Sequence, residues 1–133
     1  MKTLLLFVIS WLIGLCAYVG SCALFYRQTI GSADLFSAAL YSFIAFAIAF
    51  CVVYLPSLLA LRRLLNGTRP VWPFPLVAAL LGVLPTALVL FGWGGTLRSL
   101  VSHEASLFYA MFGAVGLVVG IGFTRIYRRD KVA

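Results

Sequence analysis

Four apolar runs without a charged side chain, each long enough to cross a bilayer as a helix, constrain this chain more than any other feature. They cover about Leu4 to Phe25, Leu35 to Leu61, Phe74 to Trp93 and Ala105 to Phe123. A helix needs about 20 apolar residues to span the hydrocarbon core, because each residue advances it by about 1.5 Å. The second run is longer than that and is expected to tilt or to extend past the core. Strands of a membrane barrel would alternate in character over about 10 residues, and no such alternation is present. The reading is therefore all-α: an integral membrane four-helix transmembrane bundle with short loops, residues 1–133 forming one transmembrane domain.

Composition excludes the soluble alternative. Of 133 residues, 64% are hydrophobic and 10% charged, and the mean hydropathy is +1.12. An average soluble domain is about 45–50% apolar and about 25% charged. A small water-soluble fold leaves too much surface exposed to hide that excess. In lipid the excess is an advantage.

The net charge of +7 does not indicate nucleic acid. The basic residues are spread between the apolar runs and form no single stripe that would follow a phosphate backbone. They mark topology instead. Lys2, the Arg62, Arg63 and Arg69 loop, and Arg125, Arg128, Arg129 and Lys131 fall on one side of the four spans, which makes eight of the ten. Arg27 and Arg98 fall on the other. Basic residues in short loops are retained on the cytoplasmic side, so both termini are expected in the cytoplasm of a cell (inner) membrane protein. Aromatic belts fit the same boundaries, with Phe25, Tyr26, Trp93, Phe108 and Tyr109 outside and Tyr54, Trp72, Phe74 and Tyr127 inside. Asn66-Gly67-Thr68 has the form of a glycosylation sequon but faces the cytoplasm in this arrangement.

The connections carry turn signals. Gly31 and Ser32 are turn and cap residues, with Asp34 near the next helix N-terminus. Asn66-Gly67 and the prolines at 70, 73 and 75 forbid a continuous helix between the second and third spans. Leu97, Leu100 and Val101 suit a short interfacial helix. Inside the spans, Pro56 and Pro85 each remove a backbone hydrogen bond and are expected to kink their helices.

Small residues recur at helical spacing on every span: Ser10, Gly14, Ala17 and Ser21; Ala38, Ser42, Ala45 and Ala49; Ala78, Gly82 and Thr86; Gly113, Gly116 and Gly120. Small side chains let backbones approach where no hydrophobic force drives helices together. These stripes suit packing of the four helices on one another. The Gly113, Gly116, Gly120 ridge, extended by Ala110, is the best candidate face for a partner subunit or for self-association. The second candidate is the basic surface of Arg62, Arg63, Arg69, Arg125, Arg128, Arg129 and Lys131, which suits anionic lipid headgroups or an acidic partner loop.

Chemistry is sparse. No Asp, Glu, His, Lys or Arg occupies the central part of a span, whereas proton relays and ion-coupled transport need an ionisable group at that depth. Small four-helix multidrug exporters carry a carboxylate in the first helix, and this first helix has none. Cys16, Cys22 and Cys51 contain no C-x-x-C pair, unlike quinone-linked thiol oxidoreductases. His103 beside Glu104 is too little for a metal site and suits a helix start. No catalytic, cofactor or metal residues are assigned, and no nucleophile is paired with a base.

The sequence thus points to a small multi-pass membrane protein, a non-catalytic accessory, assembly or scaffold subunit, with the lipid bilayer and other membrane subunits as partners. The alternative is a small channel, holin-like pore or transporter of an apolar or lipid-like solute. A lesser alternative comes from Val19-Gly20-Ser21-Cys22, which resembles a bacterial lipoprotein signal with cleavage before Cys22. Signal cores are shorter, about 7–15 residues, so retention of the first helix is expected.

Overall fold

A computed structural model describes residues 1–27, 29–65 and 72–129, the side chains of 127–129 excepted. The described residues are helical and contain no strand. Four helices are long and apolar enough to cross a membrane: Lys2–Phe25, Ser32–Leu64, Pro73–Gly92 and His103–Ile126. Each overlaps one of the apolar runs. The turn at Asn66-Gly67, with Thr68, Arg69 and Pro70, lies outside the described residues, as does Lys131.

The first span is one unbroken helix, α1 (Lys2–Phe25). Its end is set by Arg27, which takes the left-handed conformation with φ of 49°. That conformation costs a residue with a Cβ about 1 kcal/mol, and it turns the chain away from the helix axis. The second span starts at α2 (Ser32–Ala49), where Gly31 is the extended N-cap and its carbonyl accepts the Leu35 amide at 2.9 Å. Asp34 in the first turn complements the positive end of the helix dipole.

Both internal prolines interrupt their spans, each by a different route. Before Pro56 the helix widens into a π segment, Phe50–Tyr54, closed by the Leu55 amide donating to the Phe50 carbonyl. It then resumes as α3 (Leu55–Leu64). The wide turn absorbs the register that proline, lacking an N–H, cannot hold. The third span is split into α4 (Pro73–Leu80) and α5 (Val83–Gly92). Pro85 has no N–H to give Leu81, whose carbonyl accepts the Leu84 amide at 3.1 Å instead. Thr86 closes the turn by donating its Oγ1 hydrogen to the Gly82 carbonyl at 2.9 Å.

The α5 end is fixed by glycine. Gly94 has φ of +77°, its amide donates to Phe91 at 3.0 Å, and the Gly95 amide donates to Leu90 at 2.9 Å. This double bond pattern is the Schellman stop, which needs a left-handed residue. A short 3₁₀ helix follows at Leu97–Val101, started by reciprocal bonds between Thr96 and Ser99. The expected interfacial helix is therefore present in 3₁₀ form. Ser102 then caps α6 (His103–Arg129), its hydroxyl accepting the Ala105 amide at 3.2 Å.

Helix α6 is the axis of the bundle. It packs against α1 and α4 over long contacts and against α5 more briefly, while α2 leans on α5. The core is aromatic and aliphatic, with Phe46, Phe50, Tyr54 and Leu58 meeting Phe108, Met111, Phe112, Val115 and Val119. Phe7 of α1 stacks on Phe46 at 4.7 Å and meets Phe50 edge-on at 5.3 Å. Two residues expected in the aromatic belts belong to this core instead. Phe108 is enclosed by Tyr18, Trp93 and Phe112, and Tyr54 is wholly buried beside Phe46. Belt placement depends only on depth, while burial depends on which way the helix faces, and span boundaries alone carry no facing information. The outer surface of every span is apolar, through residues such as Leu12, Ile44, Leu84 and Ile121.

Candidate functional site

Three places combine side chains from distant parts of the chain: the glycine seam of α6, a hydroxyl cluster at one end of the bundle, and a basic cleft at the other.

The seam is the closest approach of two backbones. A Cβ at Gly116 would strike the Ala78 carbonyl group and come within 2.7 Å of the Ala79 Cα. A Cβ at Gly120 would fall 2.6 Å from the Pro75 nitrogen and 2.7 Å from the Phe74 carbonyl oxygen. The reverse fit occurs one step along the seam, where a Cβ on Gly82 would lie 2.8 Å from the Phe112 carbonyl oxygen. On a neighbouring face of α6, Gly14 of α1 admits the Val115 side chain. Gly116 and Gly120 thus pack against α4 of the same chain, the helix-packing half of the reading given to this ridge. The reason is stoichiometric: α4 needs a groove in which to pack, and these glycines make it. Gly113 differs, since a Cβ there would meet nothing within 4 Å. Only that position of the ridge remains open.

Hydroxyl groups within the spans are satisfied mostly along their own helices. Ser10 donates to Leu6 at 2.6 Å and Ser42 to Ala39 at 3.0 Å. Ser42 also accepts the Trp11 Nε1 hydrogen at 3.3 Å, which links α2 to α1. Among the described residues, Tyr54 has a buried hydroxyl with no hydrogen-bond partner. It sits in the π segment, and the signal available in the sequence was Pro56 two residues later.

At the end of the bundle away from Lys2, Tyr26 reaches across to α6. Its hydroxyl lies 2.9 Å from the Ser106 Oγ and 3.4 Å from the His103 Nδ1, and donates to the His103 carbonyl at 3.3 Å. Ser106 itself donates to the His103 carbonyl at 2.6 Å. The cluster ties the end of α1 to the start of α6. His103 therefore serves at a helix start, as its spacing implied, and in addition holds Tyr26. Glu104 lies in the first turn of α6, where its charge favours the helix dipole. No group of three His, Cys, Asp or Glu that could hold a metal ion is present among the described residues.

The basic end gathers Lys2, Arg62, Arg63 and Arg125 at the ends of α1, α3 and α6. Arg128 and Arg129 continue α6, and Arg69 and Lys131 lie outside the described residues. Lys2 and Arg125 line one cleft, which places the start of α1 and the end of α6 together. Sequence reasoning grouped Arg125 with the other arginines and missed its pairing with Lys2. Comparison with known protein families, with curated proteins and with solved structures finds no match to this chain.

Proposed function

We propose that this chain is a multi-pass protein of the cell's inner membrane, with both termini cytoplasmic, acting as a non-catalytic accessory, assembly or scaffold subunit. The observation that carries the reading is the filled core. Phe46, Tyr54, Leu58, Phe108, Met111 and Phe112 close the centre of the bundle, and no Asp, Glu, His, Lys or Arg lies in the central part of any apolar run. A proton or ion path needs polar or charged groups along its length, because bare hydrocarbon gives an ion nothing in exchange for its water. The eight-to-two division of basic residues supports the orientation. The basic end suits the anionic headgroups of the cytoplasmic leaflet.

A second reading, passage of an apolar or lipid-like solute, is favoured by one observation. The π segment with the unpaired Tyr54 hydroxyl is the kind of helix irregularity that recurs at functional sites. Two experiments separate the readings. Affinity purification in mild detergent followed by mass spectrometry should recover a stoichiometric membrane partner. Flux of ions and small solutes through the protein in liposomes should match protein-free vesicles, and measurable transport would replace the accessory reading with the second one.

A further inference from the structure

We propose that the cleft between α1 and α6 at the basic end binds one anionic phospholipid, with the phosphate held by Lys2 and Arg125 and an acyl chain lying between the helices. This deepens the reading of a membrane protein given above and rests on it. The cleft has a volume of about 690 Å³, within the range of sites that hold a small organic ligand. Its apolar lining comes from Leu5, Leu6 and Ile9 of α1 and from Gly122 and Ile126 of α6. Lys2 and Arg125 are the two polar side chains that line it.

The geometry follows from one glycine. A Cβ at Gly122 would strike the Leu6 side chain, so the missing Cβ lets Leu6 seat on α6. That contact joins the helices at the level of Leu6, and Lys2 and Arg125 stand one turn further out on each. Both cations are exposed, and no acidic residue occupies the first turn of α1. Of the three acidic residues in the chain, Asp34 and Glu104 stand at the opposite end of the spans, and Asp130 lies outside the described residues. Among the described residues no acidic side chain stands at this end, so the cleft joins an oily groove to two exposed cations. A phospholipid with net negative charge has the matching halves in one molecule. An acidic protein segment would leave the groove unfilled, and an apolar helix would leave the cations unmatched.

Native mass spectrometry of the full chain in detergent, with equal amounts of phosphatidylglycerol and phosphatidylethanolamine, tests the site. The expected result is one retained phosphatidylglycerol per chain. The Lys2→Gln, Arg125→Gln double variant should weaken its preference by about thirtyfold, roughly fivefold for each cation removed near the surface. Arg98→Gln, at the other end, should leave the preference intact. Ile9→Trp fills the groove while keeping both charges, and should remove the one-lipid adduct. The proposal is overturned if the double variant keeps the preference, if Arg98→Gln lowers it as much, or if Ile9→Trp leaves the adduct unchanged. None of these outcomes touches recovery of a protein partner, so failure of the lipid site and failure of the accessory reading are told apart.

Discussion

Gly116 of α6 faces the Ala78 carbonyl of α4 with no room for a single methyl group between them. In a bilayer, where no hydrophobic force drives helices together, such close contacts are what hold them, because dispersion and weak Cα–H···O bonds grow only at short backbone distance. Gly116→Ala and Gly120→Ala should each cost about 2 kcal/mol, the range for overpacking against atoms that cannot swing away. Gly113→Ala meets open space and should leave stability within about 0.5 kcal/mol. Thermal unfolding in detergent checks the series. Equal behaviour at the three positions would mean that α4 does not pack on α6 as described.

Tyr54 yields a prediction of the opposite sign. A buried hydroxyl without a partner costs about 1–3 kcal/mol of lost solvation. Tyr54→Phe removes the hydroxyl and keeps the ring against Phe46, so the melting temperature should rise. A clear fall would show that the hydroxyl is bonded in the folded protein, or that it serves a solute as the second functional reading requires. Solute flux with the Phe variant distinguishes these two outcomes.

Much of the fold was legible because a helix long and apolar enough to cross a membrane leaves a simple mark on sequence. Charge-free length gave four spans, and each agrees with a helix of the structure to within a few residues. The two prolines were legible as disturbances, but Pro56 produced a π segment and Pro85 a split helix with a tight turn. The difference lies with neighbours: Gly82 tolerates the close approach of Phe112 and accepts Thr86, while the Pro56 region has no such pair. What stayed hidden was rotation about the helix axis. For Gly116 and Gly120 the choice between helix packing and a partner face stayed open, because a glycine stripe looks the same whether its groove is filled from inside or outside. The Tyr26–His103 and Lys2–Arg125 juxtapositions stayed hidden as well, since each joins residues from opposite ends of the chain.

The Trp11–Ser42 bond is a polar link between α1 and α2, which otherwise meet through the rings of Phe7 and Trp11 against Phe43 and Phe46. Bonds of this kind average about 0.6 kcal/mol in a membrane, since competing partners exist in the unfolded state. Ser42→Ala should lower stability by about that amount and change the Trp11 emission. Ser42→Val should cost more, because the position is fully buried and has no spare volume. An unshifted emission in the alanine variant would argue against the bond.

Tyr26→Phe should loosen one end of the bundle without disturbing the middle. It removes every hydrogen bond that the Tyr26 hydroxyl makes to His103 and Ser106. The group is only partly buried, so the expected loss is about 0.5–1.5 kcal/mol. Hydrogen exchange gives the more specific readout. Amides near Tyr26 and Ser106 should exchange faster, while those from Ala45 to Leu58 should not change. Uniform acceleration along all four spans would mean that the cluster holds the whole fold together.

The orientation prediction joins the charge pattern to the cleft at the basic end. Lys2 and Arg125 line one cleft, so the first span starts where the last one ends. Arg27 belongs to the opposite end, where Tyr26 meets His103. The proposed orientation puts the Lys2 end in the cytoplasm, by the positive-inside rule applied to the eight of ten basic residues that the order of runs in the sequence puts on that side. Reporters fused at the two termini should remain cytoplasmic, and those inserted near Gly31 and Gly95 should be exported. Arg27→Cys and Arg98→Cys should each be labelled in intact cells by a maleimide that cannot cross the membrane, and Arg63→Cys should not. Labelling of Arg63→Cys alone would invert the protein. Labelling of all three would mean that the spans do not alternate as four crossings require.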